Sequence, residues 1–144
     1  MAKFNFLQKI DNIENVAVYQ ILNKYGKEIC EYAKDYFNYI VTYSSESENK
    51  KITSISLYIL VPEIKSEYNI LTVDMSDLLR NKIQLKFYTL ITKQTEIEEF
   101  DVSIGYDKFD TRINELLSTQ MINESFKFLV DHVELKRERQ IKSI

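Results

Sequence analysis

Apolar residues in the first third of the chain recur at steps of three and four. Phe6, Ile10, Ile13, Ala17, Ile21 and Leu22 form one series, and Ile29, Tyr32, Ala33, Tyr36, Phe37 and Ile40 resume it. This spacing lines one face of an α-helix and predicts a helix over residues 5–43. Gly26 falls between the two series, at the place of a helix stop signal. No Pro or polar turn cluster accompanies it, which favours one continuous helix of roughly 35 residues, about 50 Å long.

Residues 44–51, SSESENKK, contain no apolar side chain and predict a loop. The period then changes from near four to two. Ile55, Leu57, Ile59 and Val61 alternate with Ser54, Ser56, Tyr58 and Leu60, the pattern of a strand, which Pro62 ends or bends. Alternation over 68–75, 82–93 and 95–104 predicts three more strands, with a turn at Lys93-Gln94-Thr95 and a short helical turn after Ser76-Asp77. Gly105 then breaks the pattern, and Asp107 reads as the N-cap of a last helix, with Asp110 in its first turn. Phe109, Ile113, Leu116 and Leu117 form one stripe, and Ile122, Phe126, Leu129 and Val133 another. Between them Ser118, Thr119, Gln120 and Asn123 interrupt the register, as a kink or a second helix would.

The expected fold is therefore α+β. A long N-terminal helix, a four-stranded antiparallel meander sheet and a long C-terminal helix make two layers within a single domain, residues 1–144. Both helices carry more apolar surface than one sheet face needs, including Val18, Leu22, Tyr25 and Ile29 on the first and Met121, Phe128 and Val130 on the last. Such a surplus points to a partner protein or to self-association, most simply as a homodimer.

Composition narrows the chemistry. The 144 residues hold 2 Gly, 1 Pro, 1 Cys and 1 His. With Gly26 and Gly105 as the only glycines, neither a GxGxxG nor a GxxxxGK[ST] phosphate loop exists. Cys30 and His132 alone build neither an internal disulfide nor a Cys/His zinc site. No cofactor or metal is implied. No stretch approaches the apolar length of a membrane span. Asp11 and Glu14 interrupt the place of a signal-peptide core, so the expected location is cytoplasmic. Net charge is −3. A nucleic-acid binder would be basic, and the one basic run, with Lys136, Arg137, Arg139 and Lys142, reads as a solvated helix end. The acidic run Glu96, Glu98, Glu99 and Asp101 reads as protection of a sheet edge.

The candidate interaction surface is a tyrosine-rich helix face formed by Tyr25, Tyr32, Tyr36, Tyr39 and Tyr43, the last four at i, i+4, i+7 and i+11. Tyrosine joins a large apolar area to a hydroxyl that tolerates a wet rim, and interfaces are enriched in it. The best catalytic pattern is Asp74 followed by Gln84-Leu85-Lys86. It resembles restriction-type nucleases, which set an Asp and a (Glu/Gln)-x-Lys on adjacent strands. That resemblance implies acidic groups holding Mg²⁺ and a lysine polarising the attacking water, although Gln84 stands where Glu is usual. Cys30 reads as a small buried hydrophobe, and His132 as structural or surface-lying.

In size, acidity and helix–sheet–helix order the chain is similar to type III secretion chaperones, a resemblance of general plan. It implies a non-enzymatic protein-interaction module, chaperone-like or inhibitor-like, without catalytic residues. The alternatives are a metal-dependent nuclease using Asp74 and Lys86, and a small-ligand binder with a cavity between sheet and helices.

Overall fold

The computed structural model describes residues 16–33, 35–46, 51–88 and 95–142. Helix α1 spans Ala17–Tyr32, and strands β1 to β5 span Asn38–Ser45, Ile52–Val61, Ser66–Asp74, Lys82–Tyr88 and Thr95–Asp101. Helices α2, Asp107–Leu117, and α3, Gln120–Lys142, complete the chain. The strands form one antiparallel sheet in the order β1-β2-β3-β4-β5, a meander in which each strand pairs with its sequence neighbour. The α+β class and the helix, meander, helix order hold, with five strands in place of four.

The fifth strand comes from the segment expected to finish the first helix. The helix ends at Tyr32, and residues 38–45 form β1 instead. Asn38-Tyr39-Ile40-Val41-Thr42-Tyr43 is rich in β-branched and aromatic residues, which suit a pleated, half-buried surface better than a helix. Tyr39, Val41 and Tyr43 stand opposite the buried Ile59, Leu57 and Ile55 of β2. The first half of the reading holds in one respect, because α1 passes through Gly26 without a break.

The last element is two helices. Ser118 Oγ donates to the Asn114 carbonyl at 2.7 Å and Thr119 Oγ1 to the Leu116 carbonyl at 2.9 Å, closing α2. Thr119 Oγ1 also accepts from the Ile122 amide at 3.4 Å, which starts α3. Asp107 is the first helical residue rather than the cap, which is Tyr106. Asp107 and Asp110 set negative charge in the first turn of α2, where the helix dipole favours it. Pro62 ends β2 by opening a short 3₁₀ turn, Pro62–Ile64. The N-terminal part of the expected helix, residues 5–15, and the Lys93-Gln94 part of the expected turn lie outside the described residues, as do residues 47–50 of the loop.

The helices cover one sheet face. Ile55, Leu57, Ile59 and Val61 of β2, Leu71 and Val73 of β3, and Ile83, Leu85 and Phe87 of β4 are buried beneath them. They meet Val18 and Leu22 of α1, Phe109 and Ile113 of α2, and Ile122, Leu129 and Val133 of α3. Polar bridges tie this layer down at its ends. Lys24 Nζ lies 2.8 Å from Asp110 Oδ2, joining α1 to α2, and Arg112 lies 2.8 Å from Glu98, joining α2 to β5. Arg137 grips Glu63 in the β2–β3 turn and donates to the Asp35 carbonyl at 3.1 Å. Lys136 donates to the Glu63 carbonyl. Two cations of the supposedly solvated tail therefore hold α3 onto the sheet. Among the described residues, no helix is long and apolar enough to cross a membrane.

Candidate functional site

The helical layer leaves a furrow where the C-terminal half of α1 faces α2 and α3. It runs past the α2–α3 break, with Leu117 and Ser118 on one side of that break and Asn123 and Phe126 on the other. The result is an apolar groove of about 650 Å³, open to solvent on one side. Its apolar lining is Ile29 of α1, Ala33 just past its end, Phe37 before β1, Leu117 of α2, and Phe126 and Val130 of α3. Phe37 and Phe126 pack at a ring separation of 5.6 Å at its base. Glu28 of α1 and Lys127 of α3 also line it, with Asn114, Ser118 and Asn123.

The five tyrosines do not share one face. Tyr25 and Tyr32 lie on α1 and line the groove. Tyr36 lies in the connection to β1, and Tyr39 and Tyr43 are on β1 itself. Three hydroxyls are used within the fold. Tyr25 donates to the Asp110 carboxylate, Tyr36 to Glu134, and Tyr39 to Asn23 Oδ1 at 2.9 Å. Burial, reinforced by the Asp110 contact, raises the Tyr25 hydroxyl pKa above the usual range. Burial alone would raise the Asp110 carboxyl as well, but hydrogen bonds from Lys24 and Tyr25 outweigh it and hold that group below its ordinary value. Tyr25, Tyr36 and Tyr39 thus fasten the helices to one another and to the sheet. Tyr32 makes no such bond and is 96% exposed at the groove mouth.

Asp74 and Lys86 share the sheet face that no described helix covers, with Asp74 opposite Gln84 and Lys86 opposite Thr72. Asp74 Oδ1 is engaged locally, accepting from the Ser76 hydroxyl at 2.6 Å and the Ser76 amide at 2.9 Å. Those two bonds hold its carboxyl below the usual value, with a smaller contribution from Lys86. Among the described residues, no group of three or more His, Cys, Asp or Glu side chains converges to hold a metal ion. The acidic run on β5 is partly neutralised, Glu98 by Arg112 and Glu99 by Lys82 at 3.3 Å.

No protein-family model, curated protein or solved structure matches the chain. The site therefore stands on its own geometry. Sequence reasoning found Tyr25, Tyr32, Phe126 and Val130 but not their meeting with Phe37 and Leu117, which follows from the α2–α3 break. The polar run Ser118-Thr119-Gln120 was the available signal.

Cys30 is half-buried on α1, and desolvation raises its thiol pKa to about 11. The folded protein should react slowly with a thiol-selective disulfide reagent near neutral pH and quickly once denatured. Equal rates in the two states would contradict this placement.

Proposed function

We propose that this chain is a protein-interaction module that receives an amphipathic helix of a partner in the groove between α1 and the α2–α3 pair. The observation that carries this reading is an apolar groove lying open to solvent beside the almost fully exposed aromatic side chain of Tyr32. Enclosed sites bury most of a small ligand, about 70–90% of its surface. An open furrow instead suits a chain that enters from the side and leaves its polar face in water. Glu28 on α1 and Lys127 on α3 would favour a guest with a basic residue towards α1 and an acidic one towards α3. A chaperone or an inhibitor would use the same surface. Tyr25, Tyr36, Tyr39 and Tyr43 support it from within or lie beyond it, and Tyr32 is the one that touches the guest.

Selection of displayed helical peptides on the purified protein tests this. The expected winners carry apolar residues at i, i+3 or i+4, and i+7. Tyr32→Ala should weaken them about tenfold, a loss of ~1.4 kcal/mol, while leaving stability within about 0.5 kcal/mol because the side chain is exposed. Val130→Asp, which sets a charge in the apolar lining, should abolish binding. Failure to enrich any amphipathic sequence, or equal binding to the Val130→Asp protein, would remove the proposal.

A further inference from the structure

The two edges of the sheet are built differently. Strand β5 carries Glu96, Glu98, Glu99 and Asp101 within seven residues, the charged edge by which sheets avoid pairing with one another. Strand β1, the other edge, is NYIVTYSS over eight residues, with no charge, no Pro and no Gly. Its outward row of backbone N–H and C=O groups meets no other described strand. Ile40 and Tyr43 are 46% and 45% exposed along it. Such a row accepts an extended strand and nothing else, which fixes the chemistry of its occupant.

We propose that the occupant is β1 of a second copy, paired antiparallel about a two-fold axis normal to the sheet. An axis passing by Val41 sets Tyr39 against Tyr43 of the second copy, Ile40 against Thr42, and Asn38 against Ser44. The two exposed apolar side chains of the edge are then covered from opposite faces, Tyr43 on the helix side and Ile40 on the bare side. No like charges oppose each other along the strand. The acidic β5 is a poorer occupant, since its carboxylates would lose water without gaining a cation. The axis keeps both helical layers on one side and joins two five-stranded sheets into one. Pairing over eight residues is ~26 Å long. A single strand edge is a narrow contact beside the ~800 Å² per partner of a standard stable complex. The dimer is therefore concentration-dependent. None of residues 38–45 lines the groove, so this pairing does not rest on the reading of its guest.

Sedimentation equilibrium across micromolar to submillimolar protein reads the mass directly. The native chain should rise from 17.1 kDa towards twice that value. The double variant Ile40→Lys and Thr42→Lys places cations on the solvent-facing side of β1, where they oppose their counterparts across the axis. It should remain at the monomer mass with an unchanged near-ultraviolet spectrum. Hydrogen exchange on the native chain provides a reading that needs no variant. Amides of 38–45 should gain protection as concentration rises, while those of 95–101 should not change. A native chain that stays monomeric, a dimer that survives the lysine pair, or β1 protection independent of concentration would each overturn the proposal.

Discussion

Phe109→Ala should lower the free energy of unfolding by about 3–5 kcal/mol. The ring is 1% exposed and packs edge-on against Phe100 at 5.7 Å and Tyr106 at 6.4 Å. It sits in the first turn of α2 and is the contact that seats this helix over β5. Removing it leaves a cavity walled by two aromatic rings that cannot close without moving the helix start. The next residue, Asp110, holds Lys24 and Tyr25, so displacement there also loosens the join to α1. Domains of this kind are stable by about 5–15 kcal/mol, so the loss is a large share of the total. Urea titration followed by circular dichroism gives the value. A change below about 1 kcal/mol would mean that Phe109 is not a core residue.

Gly26→Ala should also destabilise, against the usual trend for helices. Alanine inside a helix is favoured over glycine by about 1 kcal/mol. Here the added Cβ would lie 2.5 Å from Tyr39 Cδ2, 2.9 Å from Tyr39 Cγ and 2.9 Å from Leu57 Cδ1. Turning the ring about its own axis leaves Cγ in place, so relief needs a new χ1 for Tyr39 or a shift of β1. Overpacking of this sort typically costs about 1–3 kcal/mol, leaving a net loss of up to about 2 kcal/mol once the helical preference of about 1 kcal/mol is subtracted. The background separates the two effects. With Tyr39→Ala already present, Gly26→Ala should become neutral or stabilising, a coupling that a double-mutant cycle measures. A stabilising Gly26→Ala in the native background would show that α1 does not approach β1 this closely.

The same glycine explains what could be read in advance and what could not. Its position after Lys24 resembles a helix stop, yet α1 runs through it because only a residue without Cβ allows the helix to lie against Tyr39 and Leu57. Periodicity in one dimension does not register a close approach between layers. Strands β2 and β4 were legible because each has one buried face, so their alternation is unmixed, whereas β3 alternates only from Leu71 on, after the adjacent buried pair Ile70 and Leu71. Residues 32–43 were not. Tyr32, Tyr36, Tyr39 and Tyr43 fit a helical repeat, while Tyr39, Val41 and Tyr43 fit a strand equally well. A chain with 2 Gly and 1 Pro carries no punctuation between Tyr32 and Asn38 to decide the matter. Pairing with β2 decides it. The groove was half legible: its aromatic and apolar residues stood out, but their meeting depends on where α3 turns.

The order of the strands has a consequence for how the chain closes on itself. Each strand lies beside its neighbour in sequence, so every sheet contact spans only a short connecting loop. The bridges that hold the helices join Lys24 to Asp110, 86 residues apart, and Asp35 to Arg137, 102 apart. Loop-closure entropy grows with the logarithm of separation, so such a contact costs about 2 kcal/mol more to close than a hairpin of roughly ten residues. Once the meander has formed, it shortens that path by bringing β1 and β5 to opposite ends of one rigid sheet. The sheet is thus the template on which the two ends of the chain find each other.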